Sequence, residues 1–116
     1  MHVFYLHGFA SSAKSTKAAF FAAKLRERGI TLHTPDFNEP SFSTLTITRM
    51  IAQTTEAIEA RPPGPVVLIG SSLGGFVAVQ TALRLSASAT HPVVRLVLLA
   101  PGPDFSGNRT PDLRDR

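Results

Sequence analysis

The chain has 116 residues, 43% of them hydrophobic, with no cysteine and a formal net charge of +4. That length holds one domain at most, and that apolar share can build a core, which argues against wholesale disorder. Disulfides and thiolate metal sites are excluded, and no stretch approaches the ~18 uninterrupted apolar residues of a membrane span.

Short apolar strands alternate with helical patterns along the chain. This predicts an α/β fold, a parallel sheet flanked by helices, with about four strands and three helices. The first strand is expected over 2–7, around Val3-Phe4-Tyr5-Leu6. So early a strand leaves no room for a signal peptide, and a cytoplasmic protein is the default expectation. A helix over 15–28 follows. It carries Lys17, Lys24, Arg26 and Arg28, with Lys14 just before it and Glu27 as its only acid. These cations read as a solvated face opposite Ala18, Phe21, Ala22 and Leu25. No stacking aromatics or recognition module accompany them, so nucleic acid is not an expected partner.

A second strand is predicted over 31–34, then a helix over 44–60 with Ile47, Ile51, Thr54 and Ile58 on one face. Arg61-Pro62-Pro63-Gly64-Pro65 ends that helix and launches a strand over 66–70. A helix over 73–87 and a strand over 93–99 complete the pattern. Residues 1–106 read as a single unit, and 107–116, polar and aperiodic, as a tail.

The third strand, Val66-Val67-Leu68-Ile69, runs into Gly70-Ser71-Ser72-Leu73-Gly74 and then a helical stretch. G-x-S-x-G between a strand and a helix is the signature of a nucleophile elbow, which nominates the hydroxyl of Ser72 as a reacting group. A serine raised above a sheet edge needs a turn so sharp that the residues two before and two after it crowd each other. Gly70 and Gly74 supply the missing side chains. Ser71 cannot be the central serine, because position 69 is Ile. The helix that begins here aims its N–H groups at developing negative charge.

A second motif, His7-Gly8-Phe9, directly follows the first strand. Acyl transfer needs two backbone donors for the tetrahedral oxyanion. Leu73 N–H is one candidate and Phe9 N–H the other, with Gly8 letting the backbone approach substrate. His7 itself reads as a structural loop histidine bonded to backbone.

With these residues in place, a resemblance emerges. Tyr5-Leu6-His7-Gly8-Phe9-Ala10-Ser11-Ser12, Pro35-Asp36-Phe37, the run Gly70 to Gly75 and Leu98-Leu99-Ala100-Pro101 resemble the YqiA-like small esterases of the α/β-hydrolase superfamily, over residues 1 to about 106. The resemblance implies hydrolysis of carboxylic esters or thioesters, a small-molecule substrate and no cofactor. It also implies the chain order nucleophile, acid, histidine, which this sequence does not complete. The only histidine after Ser72 is His91, expected at the wrong end of its strand as a solvent-exposed loop residue. Asp104 follows a strand at the correct edge but reads as the entry to a cap segment. Asp36 precedes the nucleophile and reads as a loop tie.

The run Val93 to Leu99 is nearly all apolar, as a strand covered on both faces should be. As the last strand it would leave one edge open, which natural proteins avoid. The expectation is therefore a truncated or frame-shifted N-terminal half of an esterase, with little or no activity of its own. A non-catalytic remnant or interaction domain is the alternative. A remote one is nucleotide binding: Gly8 to Ser15 fits G-x-x-x-x-G-K-[ST] except at Ala13, but no strand ends in a Mg²⁺-holding aspartate.

Overall fold

Side-chain alternation in β1 (His2–Leu6) sorts the chain into layers: Val3 and Tyr5 face one way, Phe4 and Leu6 the other, and all four are buried. The structure, a computed structural model, describes residues 1–8, 15–38 and 46–99. After β1 come α1 (Thr16–Arg26), β2 (Leu32–His33), α2 (Ile47–Glu59), β3 (Val66–Ser71), α3 (Leu73–Leu85) and β4 (Val93–Leu99). The strands form one parallel sheet in the order β2-β1-β3-β4. The predicted fold class and all seven elements are present. The second strand contracts to Leu32–His33, and the expected start of α2 at 44–45 lies outside the described residues.

Each face has its own apolar cluster. Val3, Tyr5 and Ile69 pack with Ala18, Phe21 and Leu25 of α1. Phe4, Leu6, Val66 and Leu68 pack with Met50 and Ile58 of α2 and Val77, Ala78 and Leu85 of α3. The sheet grows one way from β1 to β2 and the other way from β3 to β4. Right-handed crossovers then force α1 and α3 onto opposite faces. The crevice at the carboxyl ends of β1 and β3 is the topological switch point, where open α/β sheets bind ligands.

Local signals fix the helix ends. Ser15 Oγ accepts from Ala18 N at 3.2 Å and Thr46 Oγ1 from Arg49 N at 3.0 Å, which caps α1 and α2. Gly29 takes φ 75° just past α1, a left-handed conformation that favours glycine. The predicted face of α2 is present in most of its length: Thr54 and Ile58 are buried and Ile51 packs against the core, but Ile47 is 36% exposed and Met50 fills a core position beside it. Three residues on the α3 side of β4 stay open: Val94 at 59%, Leu96 at 36% and Leu98 at 54% exposed. Among the described residues no strand pairs the far edge of β4.

At the opposite end of the sheet His33 stacks against Phe4, with ring centroids 5.0 Å apart. Burial first, then the charge of Arg61 and then His2, hold its pKa below the ordinary value of 6.5. The fold thus favours the neutral ring, so the unfolded chain binds more protons near that pH. The resulting stability is present above pH 6.5 and lost as pH falls through the lowered folded value. Urea unfolding of His33→Gln is expected to show a shallower loss of stability than the wild type between about pH 7 and pH 5; parallel curves would refute the role.

Candidate active site

β3 ends at Ser71 and α3 begins at Leu73, so one residue, Ser72, makes the whole connection. The usual strand-to-helix link takes about 2–6 residues. The compression pushes Ser72 to φ 57° and ψ −126°, the one positive φ at a non-glycine residue among the described residues. Such a conformation costs on the order of 1–3 kcal/mol. A serine at a helix N-cap normally spends its hydroxyl on a backbone N–H. Here the strained backbone prevents that, and Ser72 makes no side-chain cap bond. Its exposed hydroxyl therefore stands at the crevice, unspent by the helix it begins.

The glycines show how the turn is accommodated. A Cβ on Gly70 would lie 2.5 Å from Gly74 O and 2.6 Å from Gly75 Cα, so the strand end and the first turn of α3 are close-packed there. Gly74 differs from the expectation: a Cβ there would fall on the carbonyl of Leu6 at the end of β1. Its missing side chain lets α3 press against the neighbouring strand. Gly8 closes the third side, since a Cβ on it would stand 3.2 Å from Leu73 N, Ser71 O and Ser72 Cβ.

Of the expected donors, Leu73 N–H lies in the first turn of α3, where a helix supplies no acceptor of its own. Phe9 lies outside the described residues, as do Ala13, Lys14, Asp104 and the predicted tail. Gly8, Gly70, Ser72, Leu73 and Gly74 come together at the switch point. Beside them an apolar recess of about 400 Å³ is lined by Ser72, Gly75, Phe76, Val79, Leu98 and Leu99. No sequence pattern marks it, because Leu98 and Phe76 come to line one recess only through the β3–β4 pairing.

All four histidines of the sequence are engaged elsewhere. His7 is buried; its Nδ1 donates to Gly8 O at 3.0 Å, and Nε2 accepts from Phe37 N at 3.0 Å. That pattern requires the neutral ring protonated on Nδ1. Asp36 Oδ1 accepts from Asn38 N at 3.0 Å and so does tie its loop. His91 lies at the N-terminal end of β4 as expected, but it is 6% exposed and not a solvated loop residue. Its Nε2 donates to Arg61 O at 2.7 Å and its Nδ1 pairs with Thr90 Oγ1 at 3.0 Å. These contacts seal the end of the sheet away from Ser72. His2 Nε2 donates to Pro62 O at 2.7 Å beside it. No three His, Asp or Glu side chains cluster as metal ligands among the described residues.

A four-stranded parallel sheet ordered β2-β1-β3-β4, with a one-residue turn into α3 at its switch point, is the central part of an α/β-hydrolase fold. Solved structures bear this out. A protein of the α/β-hydrolase superfamily from Xanthomonas campestris pv. campestris is similar at 27% identity and a TM-score of 0.67, over 96% of this chain and 64% of that one. An extracellular α/β-hydrolase from a Paenibacillus species, described as sharing structural and functional homology with tobacco salicylic acid binding protein 2, is similar in fold. It has 20% identity and a TM-score of 0.70, over 89% of this chain and 42% of its own. The chain therefore spans less than two thirds of either neighbour. By family, the chain belongs to the Uncharacterised protein family (UPF0227), whose model matches residues 2–113. This agrees with the YqiA-like resemblance. No curated protein matches. Among the described residues no helix is long and apolar enough to cross a membrane.

Strain at residue 72 makes a stability prediction. Glycine adopts its φ without penalty, so Ser72→Gly is expected to be more stable than Ser72→Ala by about 1 kcal/mol in urea unfolding. Equal midpoints would mean that Ser72 is not held at positive φ.

Proposed function

We propose that this chain carries the nucleophile and oxyanion half of a serine hydrolase acting on carboxylic esters or thioesters. One observation carries the reading: an exposed serine, strained to positive φ and making no cap bond, at the switch point of an α/β-hydrolase sheet. Ser72 Oγ attacks the carbonyl carbon. The tetrahedral oxyanion is held by Leu73 N–H and Phe9 N–H, at the positive end of α3. The tetrahedral adduct collapses as the alcohol or thiol leaves with the serine's proton, and an apolar arm of the ester lies along the recess of Phe76, Val79 and Leu98. Water then releases the acyl group as the acid and restores the Ser72 hydroxyl.

Deprotonation of Ser72 requires a base, and none of the four imidazoles is hydrogen-bonded to it: His2, His7 and His91 bond backbone and His33 stacks on Phe4. The acid and histidine of the centre are thus proposed to lie outside these 116 residues, with residues 1–106 as the N-terminal part of the domain and 107–116 as a polar tail. Loss of such a base lowers turnover by on the order of 10⁶. The donors and binding alone retain about 10³–10⁴-fold over water. The alternative reading, a non-catalytic interaction domain, draws on the open apolar side of β4.

An activated ester separates the two. Incubation with p-nitrophenyl acetate, followed by peptide mapping, is expected to place acetyl on the peptide containing Ser72. Ser72→Ala should lose it. Gly8→Ala should slow it while the fold persists, since the added Cβ crowds Leu73 N. Acetylation confined to lysines and unchanged in Ser72→Ala would overturn the reading in favour of the non-catalytic one.

A further inference from the structure

Lys17 stands apart from the other cations of α1. It lies in the first turn, two residues after the Ser15 cap, and that turn contains no acid. A cation there opposes the positive end of the helix dipole, so helix stability does not account for its position. Arg26 sits in the last turn, where the dipole favours it, and Lys24 Nζ lies 5.8 Å from the ring centroid of Phe20. Lys17 instead reaches across the sheet end. Its Nζ donates to Ser71 Oγ at 3.5 Å, a contact between residues 54 apart in sequence.

Ser71 is the last residue of β3, 8% exposed, and its side chain faces the α1 layer with Ile69. The buried hydroxyl therefore anchors an exposed ammonium beside Ser72. Among the described residues no carboxylate pairs with that ammonium. Consecutive Cα atoms are about 3.8 Å apart, so the charge stands on the scale of a Debye length, about 8 Å at physiological salt, from the Ser72 turn. Lys17 is exposed, as expected of the solvated basic face, but it also makes this contact to β3.

We propose that Lys17 is a specificity residue that favours esters bearing a carboxylate a short reach from the scissile carbonyl. The inference rests on the assignment of Ser72 as the reacting residue. Among the described residues one ammonium reaches this end of β3 and matches one negative charge, so the substrate class is a monoanionic half-ester of a short dicarboxylic acid. A substrate carboxylate would replace Ser71 Oγ as the partner of Nζ, or share the ammonium with it. A charged donor and acceptor bond more strongly than the ammonium and a hydroxyl.

The test is an amide NMR titration of the full chain with monomethyl succinate and with methyl levulinate, its neutral counterpart of nearly the same shape. Binding is read at Ser71, Ser72 and Leu73. The half-ester is expected to bind about tenfold more tightly, a preference that shrinks as salt rises. Lys17→Met, which keeps the side-chain length and removes a charge the helix disfavours, should abolish the preference. Lys17→Arg should retain it. Equal binding of both esters by the wild type, or an unchanged preference in Lys17→Met, would overturn the role of Lys17 and leave Ser72 as assigned. If neither ester moves the Ser72 and Leu73 amides, the Ser72 site is itself wrong and the inference falls with it.

Discussion

The contact on which the site depends is between a glycine and a carbonyl. Gly74, in the first turn of α3, has no side chain, and the space one would fill belongs to the carbonyl of Leu6. Because of that approach α3 begins immediately over the end of β1. Since Gly70 makes room for Gly74 O and Gly75 Cα, the helix also folds back tightly on β3. With both ends of the turn fixed, Ser72 is the only residue left to make it, and its φ of 57° follows. The strain at the serine is thus set by packing on either side of it. That matters for reactivity, because a relaxed serine in the same place would direct its hydroxyl to capping α3.

The sheet order adds the second condition. Chain growth reverses between β1 and β3, so the loops after those two strands diverge and leave a crevice between them. Gly8 and Ser72 face each other across it, one from each strand. The N-terminal ends of α1 and α3 both lie at this edge without an acid in their first turns. The local field is therefore positive where an oxyanion would form. His7 serves this arrangement structurally. By joining Gly8 O to Phe37 N it ties the first loop to the one after β2, and its ring is not available for proton transfer.

Much of this was legible in the sequence, for reasons particular to each element. Strands β1 and β3 are short apolar runs followed by glycine motifs, so their type and ends were both marked. The elbow was legible because its geometry demands glycine at two fixed offsets from one serine. The partner of Gly74 was not, since Leu6 is far away in sequence and only the β1–β3 register brings it near. The isoleucine spacing of α2 marks the core side at Ile51 and Ile58 but not at its first turn, where Ile47 is exposed and Met50 fills the layer. The burial of His91 is not legible, because its partner, the carbonyl of Arg61, lies 30 residues earlier. Lys17 was hidden in a run of like charges, and only the 3.5 Å reach to Ser71 separates it from them.

The Gly74 contact with β1 holds Ser72 at positive φ, and the intraresidue HN–Hα NOE of Ser72 reads this out. A positive φ brings these protons close and makes that cross-peak strong. A strong cross-peak is expected in the wild type and a weak one in Gly74→Ala, where the new methyl pushes α3 off Leu6 and relaxes the turn. A weak cross-peak in the wild type, or an equally strong one in Gly74→Ala, would contradict it.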